Sequence, residues 1–128
     1  MLDCIAVGLG GFIGSVLRHL AGKLPLGGAA QGFPLATLLI NVLGSFAIGL
    51  IAALAARRPE LDARLLLFAR VGLCGGFTTF STFSLETLEL IEGGQYAIAG
   101  AYALVSVVLC VAGVLVGKVL ARALMPTG

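Results

Sequence analysis

Two stretches, Phe33 to Ala56 and Gly93 to Gly117, run for 24 and 25 positions without a charged residue. A helix needs about 20 apolar residues to cross the hydrocarbon of a bilayer, so each stretch reads as one complete span. Pro34 suits the first turn of the earlier one, and Arg57-Arg58-Pro59 ends it with interface cations and a breaker. Two further spans are less pure. Cys4 to Leu17 supplies 14 uncharged residues and becomes long enough only if Arg18 is counted inside the helix. Leu65 to Leu90 is apolar apart from Arg70, Glu86 and Glu89, with a polar, glycine-rich centre.

The expectation is therefore an all-α membrane protein, one integral membrane domain over residues 1–128. Its four helices fall at about 3–22, 33–56, 64–91 with a break near 75–79, and 95–122. Loops fall at about 22–32, 57–63 and 91–95, the last a tight turn at Glu92-Gly93-Gly94-Gln95.

Composition agrees with lipid as the solvent. The chain is 59% hydrophobic and 11% charged, where soluble domains carry about 25% charge, and it stays apolar as far as Ala123, which a cleaved leader does not explain. Four spans leave no room for a soluble catalytic domain, and no nucleophile with its base or paired carboxylates stand out. A net charge of +2, with no basic run interleaved with aromatics, argues against nucleic acid. Cys4, Cys74 and Cys110 lie in apolar stretches without CxxC spacing and read as small packing residues rather than a disulfide or zinc framework.

Four spans put both termini and the middle loop on one side. Arg57, Arg58, Arg64, Arg70, Lys118 and Arg122 lie on that side, against Arg18 and Lys23 on the other, a bias that favours termini inside. Small residues four apart, at Gly10 and Gly14, Gly72 and Gly76, and Gly113 and Gly117, let helices approach closely.

The centre of the third helix is the candidate site. Gly72, Gly75 and Gly76 lower helix propensity, and the hydroxyls of Thr78 and Thr79 compete for backbone partners, so the segment can unwind near the midplane. A broken helix survives in hydrocarbon only where protein, water or ions satisfy the freed groups. Unwound carbonyls can hold a cation, and the resuming half-helix presents N–H groups to an anion. Past the break, Phe80 and Phe83 share one helical face, and Ser81 and Ser84 an adjacent one. The rings either pack against a neighbour or turn their positive edges to a small anion.

Asn41 places an amide in the middle of the second span, able to donate to an anion or bond across helices. Tyr102, Ser106 and Cys110, four apart, give the fourth helix a face of hydroxyls and a thiol, which reads as one wall of a hydrated track or as helix-to-helix bonding. Arg18 and Glu86 should turn inward or reach an interface, with Arg18 able to gather anions at a vestibule. His19 beside it reads as an interface residue.

Three blocks together resemble the CrcB/Fluc fluoride channel family. They are Gly10-Gly11-Phe12-Ile13-Gly14-Ser15-Val16-Leu17-Arg18, then Thr37-Leu38-Leu39-Ile40-Asn41-Val42-Leu43-Gly44-Ser45-Phe46, then Gly75-Gly76-Phe77-Thr78-Thr79-Phe80-Ser81-Thr82-Phe83-Ser84. The similarity runs from about Gly8 to Lys118. It implies an antiparallel, dual-topology homodimer in the cell inner membrane, with two fluoride pores and a central structural sodium ion, exporting cytoplasmic fluoride passively without an organic cofactor.

By matching positions, Phe80 and Phe83 resemble the pore phenylalanines, Asn41 the pore asparagine, and Tyr102 and Ser106 the helix-four wall. Backbone carbonyls of Gly75 and Thr78 would hold sodium, while Arg18 and Glu86 match charged motif positions. His19 and Cys110 depart from the family pattern. The Lys and Arg bias also runs against a dimer that needs both orientations. Two rivals remain: a small proton-coupled multidrug transporter, which needs an acidic residue inside its first span where this chain has only Asp3 at the edge, and a non-conducting structural membrane subunit.

Overall fold

The computed structural model describes residues 1–24 and 32–125. The first loop, read at about 22–32, lies mostly outside the described residues. Helix α1 runs over Leu2–Gly22 with Arg18 inside it, and α2 over Leu35–Arg57 with Pro34 as its N-cap rather than in its first turn. The third span begins with α3, Ala63–Leu66, where the Asp62 carboxylate accepts from the N–H groups of Arg64 at 2.7 Å and Leu65 at 3.1 Å. It continues as a π-helix over Leu67–Cys74, then α4 over Gly75–Phe77, and after Thr78 and Thr79 resumes as α5 over Phe80–Glu92. Gly94, at φ +73°, turns the chain into α6, Tyr96–Leu124. Among the described residues four helical runs are long and apolar enough to cross a membrane, and the chain is a multi-pass membrane protein.

Two close helix pairs make the bundle. In the first, α1 lies along the π segment and α4. A Cβ on Gly14 would sit 2.8 Å from the Phe77 nitrogen and against the Leu73 carbonyl, and one on Gly76 would sit 2.6 Å from the Gly11 carbonyl. In the second, α2 lies along α6, where a Cβ on Gly49 or Gly117 would strike the backbone of Val114 or Phe46. With no hydrophobic drive between helices in lipid, such backbone contact supplies the dispersion that holds them.

Gly14→Val is therefore expected to destabilise the protein by about 1–3 kcal/mol, the usual overpacking penalty, read as a lower melting temperature in detergent. Gly8→Val, where a Cβ meets nothing within 4 Å, should leave it unchanged.

Leu38, Leu90, Ala99 and Tyr102 form a small core where α2, α5 and α6 meet. Large apolar side chains such as Phe12, Leu43, Leu104 and Leu115 stay exposed along the outer faces, as lipid-facing surface must.

Candidate functional site

The helix breaks over two residues only: Thr78 (φ −79°, ψ 159°) and Thr79 (φ −149°, ψ 119°) are extended. The glycines expected to unwind do not. Gly75 and Gly76 remain helical; at Gly76 the missing side chain admits the backbone of α1 at Gly11 rather than freeing the chain, while Gly75 lies on the open face. The threonines make the break. Thr78 Oγ1 donates to the Cys74 carbonyl at 3.0 Å, and Thr79 Oγ1 accepts from the Thr82 N–H at 3.1 Å, capping α5.

An extended peptide inside a bilayer must find partners, and Asn41 supplies both. Its Oδ1 accepts from the Thr79 N–H at 2.8 Å while its Nδ2 donates to the Thr79 carbonyl at 3.0 Å. Only one orientation of the amide satisfies both bonds.

This arrangement releases two carbonyls. In a continuous α-helix the N–H of Thr79 would serve Gly75, and that of Thr82 would serve Thr78. Both N–H groups are instead taken by side chains, Asn41 Oδ1 and Thr79 Oγ1. The carbonyls of Gly75 and Thr78 are thus left without their helical donors, and Gly75 lies exposed on the bundle surface. Such a pair of oxygen atoms has the hard-donor chemistry of an alkali or alkaline-earth cation site.

Beside the break is a cavity of about 350 Å³, lined among others by Asn41, Gly44, Thr79, Phe80, Phe83 and Cys110. Gly44 is required here, since a Cβ would press on the Thr78 methyl and lie 3.3 Å from the Phe77 ring. Phe80 is 78% exposed, with its ring centroid 5.5 Å from that of Phe83, and Phe83 stacks at a tilt on Tyr102 at 5.1 Å.

A second cavity, of about 550 Å³, brings Arg18, His19 and Lys23 to the same space as Thr37, Thr82 and Glu86. The Glu86 carboxylate accepts from Thr37 Oγ1 through Oε1 and from the Tyr102 hydroxyl through Oε2, each at 2.7 Å. Neutral donors on two other spans therefore hold it in place. Thr79 lines both cavities.

The remaining candidates are placed less directly. Tyr102 is fully buried with its hydroxyl committed to Glu86. Ser106 is buried, and its Oγ has no hydrogen-bond partner among the described residues. Ser81 Oγ lies 3.3 Å from Thr79 Oγ1, and Ser84 donates back to the Phe80 carbonyl at 2.8 Å. Neither serine lines the phenylalanine cavity.

A family described as CrcB-like protein, Camphor Resistance (CrcB), matches residues 5–118. The chain belongs to the CrcB-like family. Among similar proteins, the fluoride-specific ion channel FluC of Ruminiclostridium cellulolyticum is 44% identical over 95% of this chain and 94% of its own. FluC 1 of Nitrobacter hamburgensis is 49% identical over 94% and 95%, and FluC of Elusimicrobium minutum 49% over 87% and 86%. These relatives are named as ion channels, not enzymes.

Thr37 and Thr82 of this CrcB-like chain escaped the sequence reading, and Thr79, named there only as a helix breaker, also caps α5 and lines both cavities. Thr37 had a signal, standing four residues before Asn41 and eight before Ser45 on a largely apolar span, so that three polar groups share one helical face. Thr79 and Thr82 are spaced as an N-cap and its N3 residue.

Proposed function

We propose that this protein is a passive, fluoride-selective channel that exports cytoplasmic fluoride and works as an antiparallel homodimer with two pores. The observation that carries the reading is Phe80, a large ring exposed beside a helix break that a half-buried amide has locked. A second copy laid over this face would cover Phe80 and close the open cavity, and a two-fold pairing makes two equivalent paths.

Fluoride sheds its water only where other donors replace it. Asn41 spends one of its two Nδ2 hydrogens on Thr79, and we assign the other to the anion. The edges of Phe80 and Phe83 add positive quadrupole without a fixed charge that would trap the ion. Ser106, whose Oγ has no partner among the described residues, would supply a further hydroxyl, and Tyr102 holds Glu86 in place. Ser81 and Ser84 stand on the exposed face that a second copy would cover, and Arg18 gathers anions in the cavity it shares with Glu86. Gly75 and Thr78 of both copies would hold a structural sodium ion, whose charge would bind the two broken helices together. The first-span acid that a proton-coupled transporter needs is missing here, since Asp3 sits at the edge and lies 3.3 Å from Arg64.

Reconstituted in liposomes, the protein is expected to release fluoride at least about a hundredfold faster than chloride, a preference of about 2.8 kcal/mol. Equally negligible rates for both ions would overturn the reading in favour of a structural subunit, and proton-dependent uptake of a cationic drug would favour the transporter.

A further inference from the structure

At the end of the bundle that carries the 58–62 turn, a separate cavity of about 480 Å³ opens between α2 and α6, away from the break. Ala52, Ala53 and Ala56 give it a shallow methyl-lined wall, and Arg57, Lys118 and Arg122 supply three cations. The ion pairs among the described residues are Arg58 with Glu60 and Arg64 with Asp3, so none of these three cations has a carboxylate partner there. Lys118 and Arg122 stand four apart on one helix, where like charges repel.

Arg57 is not free to swing away from them. Its Nη1 donates to the Arg122 carbonyl at 3.2 Å and to that of Met125, which pins the guanidinium across the end of α6 and leaves Nε and Nη2 to point elsewhere. Ala56 and Gly117 are the last residues of the two charge-free runs, which puts the cavity at headgroup depth. A fixed guanidinium fork with two flexible cations around a shallow recess matches a phosphate group, since guanidinium binds its oxygen atoms in parallel and ammonium adds point charge.

We propose that this cavity binds a phosphate group at the bilayer interface, carried by an anionic phospholipid. Three cations with no carboxylate partner among the described residues then gain an opposing charge, and the repulsion between Lys118 and Arg122 is relieved.

Native mass spectrometry of the detergent-solubilised full chain, with phosphatidylglycerol or phosphatidylcholine added, tests this. The expected result is an apparent affinity about tenfold or more in favour of phosphatidylglycerol. The double variant Lys118→Gln with Arg122→Gln should lose that preference, whereas Arg58→Gln with Arg64→Gln, which removes two cations of the same end outside the cavity, should keep it. Millimolar inorganic phosphate separates the sources: retained lipid adducts mean that the lipid is the ligand, and their displacement means that phosphate from solution suffices for the same site. No preference in the unaltered protein, or equal loss in both double variants, would overturn the site and leave only general surface charge.

Discussion

Phe80→Ile is expected to lower fluoride efflux from proteoliposomes by about two- to tenfold while the protein still elutes as the same oligomer. Isoleucine keeps the apolar bulk but removes the ring quadrupole, so a packing role and an ion-handling role separate. Phe80 is 78% exposed within one chain, so the change removes little intramolecular packing. Edge interactions of aromatic rings are worth about 0.5–1.5 kcal/mol in proteins, and about 1.4 kcal/mol on a barrier is tenfold in rate. Phe83→Ile should slow flux as well, but it also disturbs the stack on Tyr102 at 5.1 Å and so reports on the Glu86 partner indirectly. Unchanged flux in both variants would return the pair to core packing.

Much of the architecture was legible because charge is so costly in lipid. Two uncharged runs marked α2 and α6, and the need for length put Arg18 inside α1. The centre of the third span was legible as a place, and of its two expected causes the threonine hydroxyls hold while the glycines do not. Glycine propensity is a local quantity, whereas Gly76 packs on Gly11 of α1, more than 60 residues away in the chain, and stays helical with Gly75. The π-helix over Leu67–Cys74 had no counterpart in propensity or spacing, since hydrophobic periodicity over eight residues does not separate it from an α-helix. Glu86 was identifiable as a charge that must turn inward, yet its partners Thr37 and Tyr102 sit on two other spans, and only tertiary packing brings them together. Ser84 went the other way: its bond to Phe80, four residues back, is the local habit of a helical serine.

Asn41→Leu should do more harm than its half-buried position suggests. The sequence left Asn41 as an anion donor or a cross-helix bond, and the cross-helix bond turns out to be to backbone, at Thr79, one of the two extended residues of the break. Leucine fits the apolar span but strands both the N–H and the carbonyl of Thr79 where little water reaches them. Leaving buried groups unsatisfied costs about 1–3 kcal/mol each, so a loss of about 2–6 kcal/mol is expected for the two. The chain can escape part of this by re-forming the helical bond from Thr79 to Gly75, which would straighten the third span and withdraw the Gly75 carbonyl from any cation. Two measurements follow. Unfolding in detergent should show the lost stability, and hydrogen exchange should show the Thr79 amide either faster, if stranded, or paired in the helical ladder, if healed, with fluoride efflux suppressed in both cases. A variant with full stability and undiminished flux would mean that the amide neither holds the break open nor serves the ion.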